Sequence, residues 1–383
     1  MKRLSIILIT VLVLLVHCDK SSTKSENDKD KSVQFLAFYE PGEEQLLGEN
    51  KQIAQLSIAN NECNYSSFLN IYPYRNNFLT NSANNSSILA MGLHSDFNDD
   101  RSTRGVAVNI SDKSQDYLPL VQPSEDSDYP YFLSQSVRVS DNGMVLYMTA
   151  TNDKSYGDEY RPFLIRYNPE TKEHQVAASP ESFVLNQPEK GDDTETGQID
   201  RAIAISPDGR YAYGVIEAYG VSGNIHWDYE ILFQYDFETE QYKRLGDEDD
   251  SDASFIALTR DGKYIIYSNR SERKIYNLQT ETTTVVSISG YGPIPIQMNN
   301  YGFCDNSTTG IYYYNYVQNE TVKVIHSYYT SNAQFSEDQE SIYFTIRGSE
   351  ENYLCKSIDL LEDTEWDTLA AIPKEFSDIK LLK

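Results

Sequence analysis

The densest collection of reactive side chains is Tyr219-Gly220-Val221-Ser222-Gly223-Asn224-Ile225-His226-Trp227-Asp228-Tyr229. An imidazole, an indole, a carboxylate and two phenols within eleven residues can stack on a sugar or peptide and hydrogen-bond its edges. A long loop packed on its own aromatics has the same composition. His94 and Asp96, with Asp99 and Asp100 close behind, are residue types suited to a general base or a metal ligand. His226 lies 132 residues from His94, and nothing in the linear sequence makes them converge. Arg270 and Arg347 each follow a β-rich run and could offer a guanidinium to a carboxylate, although surface salt bridging is the commoner use of such residues. The ligand-contact candidates are therefore His94, Tyr219, His226, Trp227, Asp228, Arg270 and Arg347, and no catalytic residue, metal site or cofactor is assigned.

Other motifs are absent or weak. The acidic runs Asp247-Glu248-Asp249-Asp250-Ser251-Asp252 and Gly191-Asp192-Asp193-Thr194-Glu195 lack the glycine and terminal glutamate of a calcium loop and read as solvated linkers. There is no Gly-x-Ser-x-Gly elbow, His-Glu-x-x-His pair or Gly-rich phosphate loop. Cys63, Cys304 and Cys355 are widely spaced, so they build no disulfide framework. Cys304 and Cys355 either pair or remain thiols.

These groups sit on a chain of 383 residues with 32 Lys+Arg against 58 Asp+Glu, a formal charge of -26. With 30 Tyr, 15 Phe and 2 Trp there is enough apolar area to exclude general disorder, and the negative charge opposes a nucleic-acid partner. Lys2 and Arg3 precede the apolar run from Leu4 to Val16, too short for a comfortable membrane span and suited to an export signal. Asp19 to Ser32 contains no apolar residue and reads as a flexible polar tether. The expected organisation is residues 1–18 as signal, 19–32 as tether and 33–383 as one domain.

Two short patterns recur along that domain. The first is Ser140-Asp141-Asn142-Gly143, Ser206-Pro207-Asp208-Gly209, Thr259-Arg260-Asp261-Gly262 and the degenerate Ser336-Glu337-Asp338-Gln339, with Asn299-Asn300-Tyr301-Gly302 as a weaker fifth copy. Asp can hydrogen-bond its own backbone, Gly accepts positive φ, and the β-branched and aromatic runs that follow fit pleated strands, so each copy predicts a hairpin. The second is Tyr167-Asn168-Pro169-Glu170-Thr171, Tyr235-Asp236-Phe237-Glu238-Thr239 and Tyr276-Asn277-Leu278-Gln279-Thr280, with looser versions at Tyr314-Asn315, Ile358-Asp359 and Val108-Asn109. It fits the turn between a third and a fourth strand. Recurrence at 38 to 68 residues predicts four-stranded antiparallel units of about 40 residues with insertions. No segment after Cys18 keeps a helical period, Leu360 to Ala371 coming nearest.

A tandem of such units resembles a β-propeller, specifically the TolB-like and WD40-like propellers of the bacterial envelope, and the resemblance covers about residues 84 to 383. The expected fold is all-β, with seven blades favoured over six. Residues 33–83 supply the extra blade, or Gln34-Phe35-Leu36-Ala37-Phe38 instead completes the last one. The ending Leu15-Val16-His17-Cys18 resembles a bacterial lipobox, with His17 where a small residue is usual and Cys18 as the point of lipid attachment. The resemblance implies a lipid-anchored envelope protein facing the periplasm or cell exterior. It would serve as a non-enzymatic scaffold for an envelope protein or small polar ligand held on the face of long loops. The alternative is a propeller enzyme, a hydrolase or lyase, acting on a sugar, lactone or peptide at the channel mouth.

Overall fold

A computed structural model describes residues 32–39, 52–69, 80–81, 87–93, 104–120, 131–153, 159–177, 198–222, 225–245, 256–269, 272–286, 297–299, 302–307, 310–315, 318, 320–325, 330–357, 360 and 366–382. They form seven antiparallel sheets of four strands each. Blade 1 holds β1 (Val33–Tyr39), β2 (Gln52–Ala59) and β3 (Glu62–Leu69). Blade 2 holds β4 (Thr80–Asn81), β5 (Ile88–Leu93), β6 (Arg104–Asn109) and β7 (Gln115–Tyr117). Blade 3 holds β8 (Tyr131–Val139), β9 (Val145–Asp153), β10 (Glu159–Tyr167) and β11 (His174–Ala177), and blade 4 holds β12 (Gln198–Ile205), β13 (Tyr211–Ser222), β14 (Ile225–Asp236) and β15 (Gln241–Leu245). Blade 5 holds β16 (Ile256–Leu258), β17 (Tyr264–Asn269), β18 (Glu272–Asn277) and β19 (Thr282–Val286). Blade 6 holds β20 (Gln297–Met298), β21 (Gly302–Ser307), β22 (Gly310–Asn315) and β23 (Glu320–Ile325). Blade 7 holds β24 (Thr330–Phe335), β25 (Ile342–Arg347), β26 (Asn352–Ser357) and β27 (Trp366–Ile372), and the last strand, β28 (Phe376–Leu382), returns to blade 1.

The blades stack because each sheet is apolar on both faces and cannot cover both alone. Seven hydrophobic clusters fill seven blade-to-blade interfaces. Leu36, Ile53, Leu89 and Val106 join blades 1 and 2, and Ala90, Phe132, Val145 and Tyr147 join blades 2 and 3. Leu146, Leu164, Ile203 and Phe233 join blades 3 and 4, and Tyr213, Leu232, Ile265 and Tyr267 join blades 4 and 5. Ile266, Ile275 and Tyr314 join blades 5 and 6, and Ile311, Tyr313, Phe335 and Phe344 join blades 6 and 7. Phe35, Leu56, Tyr343 and Leu354 close the circle between blades 7 and 1. The strand period of two explains how one run serves two interfaces: Tyr313 enters one cluster and its neighbour Tyr314 the other.

The ring is closed by the chain's end. β28 pairs with β1, so blade 1 takes its innermost strand from the carboxy terminus. Residues 33 to 69 begin a blade of their own, which settles the count at seven and corrects the alternative in which Gln34 to Phe38 complete the last blade. Leu360 to Ala371, the nearest approach to a helical pattern, supplies strand β27. Buried Gln334 on β24 fastens the closing strand to blade 7. Its Nε2 donates to the Ile379 carbonyl at 3.2 Å, and its Oε1 accepts from the Leu381 amide at 2.8 Å. One side-chain amide thus substitutes for a strand partner.

Replacing Gln334 by Leu leaves both backbone groups unsatisfied. The expected loss is about 2–6 kcal/mol, at roughly 1–3 kcal/mol for each orphaned buried group. Equilibrium denaturation should show the lowered midpoint, and hydrogen exchange should show faster exchange at Leu381 than at the strands of blade 4.

Candidate functional site at the Asp-Gly mouth of the ring

The innermost strands β4, β8, β12, β16, β20, β24 and β28 contact one another in succession around the axis. The first recurrent pattern forms the turn leaving each described inner strand of blades 3 to 7. Its Ser or Thr is buried because the hydroxyl is part of the backbone scaffold. In blade 4 the Gly209 amide donates to the Ser206 carbonyl at 2.9 Å, the Tyr211 amide to Ser206 Oγ at 2.8 Å, and Ser206 Oγ to Asp208 Oδ1 at 2.6 Å. Blade 5 repeats this, with the Gly262 amide on the Thr259 carbonyl at 2.9 Å and the Tyr264 amide on Thr259 Oγ1 at 3.0 Å. Gly209 and Gly262 have φ of +72° and +69°, which explains glycine at the fourth position. In blade 6 the weak copy works differently: Asn299 Oδ1 accepts from the Gly302 amide at 2.7 Å.

The second pattern caps the same end of the blade. Asn168, Asp236 and Asn277 each accept, through Oδ1, a hydrogen bond at 2.9 Å from the amide two residues on. Lys172, Glu240 and Glu281 then take positive φ to reverse the chain. Asn109 and Asn315 provide weaker copies at 3.0 Å. The two patterns touch within a blade, the Phe237 amide donating to the Arg210 carbonyl at 3.2 Å and the Leu278 amide to the Lys263 carbonyl at 2.9 Å.

Neighbouring inner turns are also bonded across blades. The Asp141 amide donates to the Pro207 carbonyl at 3.0 Å and Asn142 Nδ2 to the Asp208 carbonyl at 2.6 Å. Asn299 Nδ2 reaches the Gln339 carbonyl at 3.4 Å. These bonds hold the rim of one mouth of the ring. Two arginines lie there. Arg138, on β8 and two residues before Ser140, donates from Nη1 to the Val137 carbonyl at 2.7 Å, and burial pulls its pKa down to about 10. Arg260, at the second position of the blade 5 turn, is half-buried, and desolvation also lowers its pKa, opposed by the carboxylates of Asp141 and Glu337. Both remain charged near neutral pH.

Farther out, between blades 3 and 4, charge does structural work. Arg210 holds Asp236 in a bidentate pair, Nε to Oδ1 at 3.0 Å and Nη2 to Oδ2 at 2.7 Å, and reaches Glu238 at 2.8 Å. Arg166 packs over the Phe237 ring at 4.7 Å and donates to the Gly209 carbonyl at 2.9 Å. The bond from Arg210 is the main reason the Asp236 pKa falls to about 2.

The sequence candidates are distributed differently from this site. Residues 219–229 are not a loop: β13 and β14 continue as a two-stranded ribbon, pairing Tyr219 with Asp228, Gly220 with Trp227 and Val221 with His226. The ribbon runs beyond the pairing of β12 and β15, and its side chains lie outside the described residues. β9 and β10 likewise continue their pairing out to Asp153 and Glu159. Arg347 ends β25 exposed, one strand out from the axis. His94, Asp96, Arg270, Cys18 and both acidic runs lie outside the described residues. Cys304 and Cys355 are free thiols in the core between blades 6 and 7, and burial pushes Cys355 up to about 11. Among the described residues no group of three His, Cys, Asp or Glu is placed to hold a metal ion. Arg138 and Arg260 escaped the sequence reading, and the signal that would have found Arg260 is its place at the variable second position of the repeated turn.

No family model matches the chain, and no curated protein matches it. Among solved structures it is similar to the acylaminoacyl peptidase of Pyrococcus horikoshii, at 12% identity and TM-score 0.46 over 76% of this chain and 46% of that one. The chain thus spans less than half the length of that peptidase. The β-propeller domain of the trilobed protease from Pyrococcus furiosus matches at 13% identity and TM-score 0.44, over 76% of this chain and 82% of that one. A chain of a nidogen/laminin complex matches at 9% identity and TM-score 0.42, over 77% and 94%. These similarities concern a propeller-like fold. The appearance of peptidase and protease propellers corrects the expectation of a purely non-enzymatic, protein-binding lipoprotein scaffold, which is withdrawn.

The pH dependence of the Arg210–Asp236 pair has a definite sign. A carboxylate whose folded pKa lies below the usual 3.8 contributes stability that is complete above that value and is lost as pH falls through about 2. Acid titration of unfolding free energy should therefore steepen between about pH 4 and pH 2, and Asp236→Asn should flatten that part of the curve while leaving the pH 6 to 8 region level.

Proposed function

We propose that the chain is a propeller enzyme of the hydrolase class that acts on peptides at the mouth of its channel. The observation that carries this reading is Arg138, a desolvated and protonated guanidinium on an innermost strand of a protein whose formal charge is -26. A half-buried cation in so acidic a body favours ligands bearing a carboxylate, because its attraction is less screened where water is partly excluded. Of the three substrate classes considered, peptides carry that group, whereas neutral sugars and lactones do not. Guanidinium geometry also suits a carboxylate held through two parallel bonds. His94 and His226 are the candidates to activate water. The location that fits this work is the cell envelope. The apolar run ending at Cys18 supports export and lipid attachment, and the repeated Ser-x-Asp-Gly turn supports kinship with TolB-like and WD40-like envelope propellers.

The full chain, solubilised in detergent, is to be incubated with short peptides carrying either a free or an amidated carboxy terminus, and new amino termini counted. Release from free-carboxylate peptides is expected. Arg138→Gln should raise KM for them about tenfold or more, in line with about 1.5–3 kcal/mol for a hydrogen bond to a charged group, and should leave amidated peptides nearly unchanged. If no peptide in a varied set is cleaved, the proposal fails.

A further inference from the structure

In blades 3 to 7 the innermost and second strands are joined by a turn at the Asp-Gly mouth. Blade 1 has no such link, because its innermost strand is β28 and its second is β1. Val33, the first residue of β1, pairs with Ile58, just before the reversal at Asn60 and Asn61, which take φ of 53° and 64°. That reversal joins the third and fourth strands, β2 and β3, and so lies at the same end of blade 1 as the caps of the other blades. Leu382 of β28 pairs with Gln34 beside it. The residues that precede Val33 therefore leave the ring at the mouth itself, where another blade would carry its Ser-x-Asp-Gly turn.

The opposite face carries the longest hairpin described in the fold. β13 starts at Tyr211, bonded to the blade 4 turn, and runs for 12 residues, against 6 in each of its counterparts β17, β21 and β25. Its excess over them is the ribbon it forms with β14, which extends from that face by roughly 20 Å at about 3.3 Å per residue. Residues 19–32 separate Cys18 from Val33, and they hold four lysines against four acidic residues. A segment neutral in sum has no electrostatic reason to lie along an acidic rim, and fully extended it spans about 50 Å. For the opposite face to meet a bilayer that holds Cys18, the segment must cross two strands of blade 1, follow the height of the blade and clear the ribbon, about 55 Å in all. Turning the disc over thus exceeds full extension, whereas a mouth-inward or tilted disc is reached by an unstretched segment spanning about 20 Å.

We propose that attachment at Cys18 turns the Asp-Gly mouth toward the bilayer and the blade 4 ribbon away from it, so that the mouth serves polypeptides which are themselves held at the membrane. The attachment and the peptide substrate rest on the function proposed above, whereas the direction in which the chain leaves the ring does not. A substrate in bulk solution reaches the mouth only through the gap between disc and bilayer. A polypeptide anchored in the same leaflet is already in that gap, and confinement to one surface raises its effective concentration.

The test uses the full lipid-bearing chain with Cys63→Ser, in phosphatidylcholine vesicles that carry an acceptor dye on a headgroup. A donor dye is placed by Glu337→Cys at the mouth or by Glu350→Cys in the turn between β25 and β26, both positions being exposed and both in blade 7. Because β25 separates the two by about 20 Å, energy transfer should be about twofold or more stronger from position 337. Inserting about thirty Gly/Ser residues after Ser32 should erase that difference, since the segment could then pass around the disc. A peptide with a free carboxy terminus, linked to lipid in the same vesicles, should be cleaved about tenfold or more faster than its soluble twin, and Cys18→Ala should remove the preference. Equal or stronger transfer from position 350, or equal cleavage of the two peptides, overturns the proposal. Absence of lipid on Cys18, read by mass, overturns it together with the attachment. Stronger transfer from position 337 with neither peptide cleaved would overturn the hydrolase proposed above and leave the orientation standing. Cleavage of both peptides with transfer favouring position 350 would do the reverse.

Discussion

The structure depends on the need of each small sheet to cover two apolar faces at once. A four-stranded antiparallel sheet in isolation leaves one side of its core wet and two edges open. Stacking seven of them gives every face a partner, and bending the stack into a ring gives the first face to the last. This is why neighbouring residues such as Tyr313 and Tyr314 can both be buried while serving different interfaces. It is also why the chain's last strand, and not a local one, completes blade 1: pairing β28 with β1 locks the two ends of the stack together. Gln334 adds a bond between blade 7 and that strand at the point where the ring would otherwise be joined through only one sheet.

The constraint has a local counterpart in the turns. Each inner hairpin must reverse within four residues at a crowded rim, where open backbone groups cannot all reach water. A buried hydroxyl or amide at the first position supplies the missing partner, and the third and fourth positions shape the reversal. Selection for folding thus acts on three residues of every four, and the remaining one is left to chemistry.

This division also explains what could be read from the sequence. The hairpin turns, the caps at Asn168, Asp236 and Asn277 and the count of seven blades were legible, because they rest on local backbone chemistry that leaves a residue signature. The ribbon of residues 219–229 was not. Its far portion pairs only with itself, and its glycines and aromatics suggest a loop. The ring's fastening was equally hidden, since which terminal strand completes blade 1 is decided by a contact between residues more than 300 positions apart. Arg138 was invisible for another reason. A charged residue inside a strand suggests a solvent face, and only the third dimension shows that this strand is an innermost one, where burial pulls the guanidinium pKa down.

The acidic character of the whole chain gives the arginines at the mouth their significance. A net charge of -26 spread over a surface is largely screened by salt at separations beyond about 8–10 Å, so it sets solubility more than it sets recognition. Charges at a half-buried rim are less screened, because part of the space between them is filled by protein. Arg260 is held in such surroundings by carboxylates from two blades that are not its neighbours. In an open, extended array of the same seven sheets, positions 141, 260 and 337 would lie too far apart to act together. Closure therefore does more than remove sheet edges. It brings turn residues of separate blades to one rim, where the carboxylates of Asp141 and Glu337 act on Arg260.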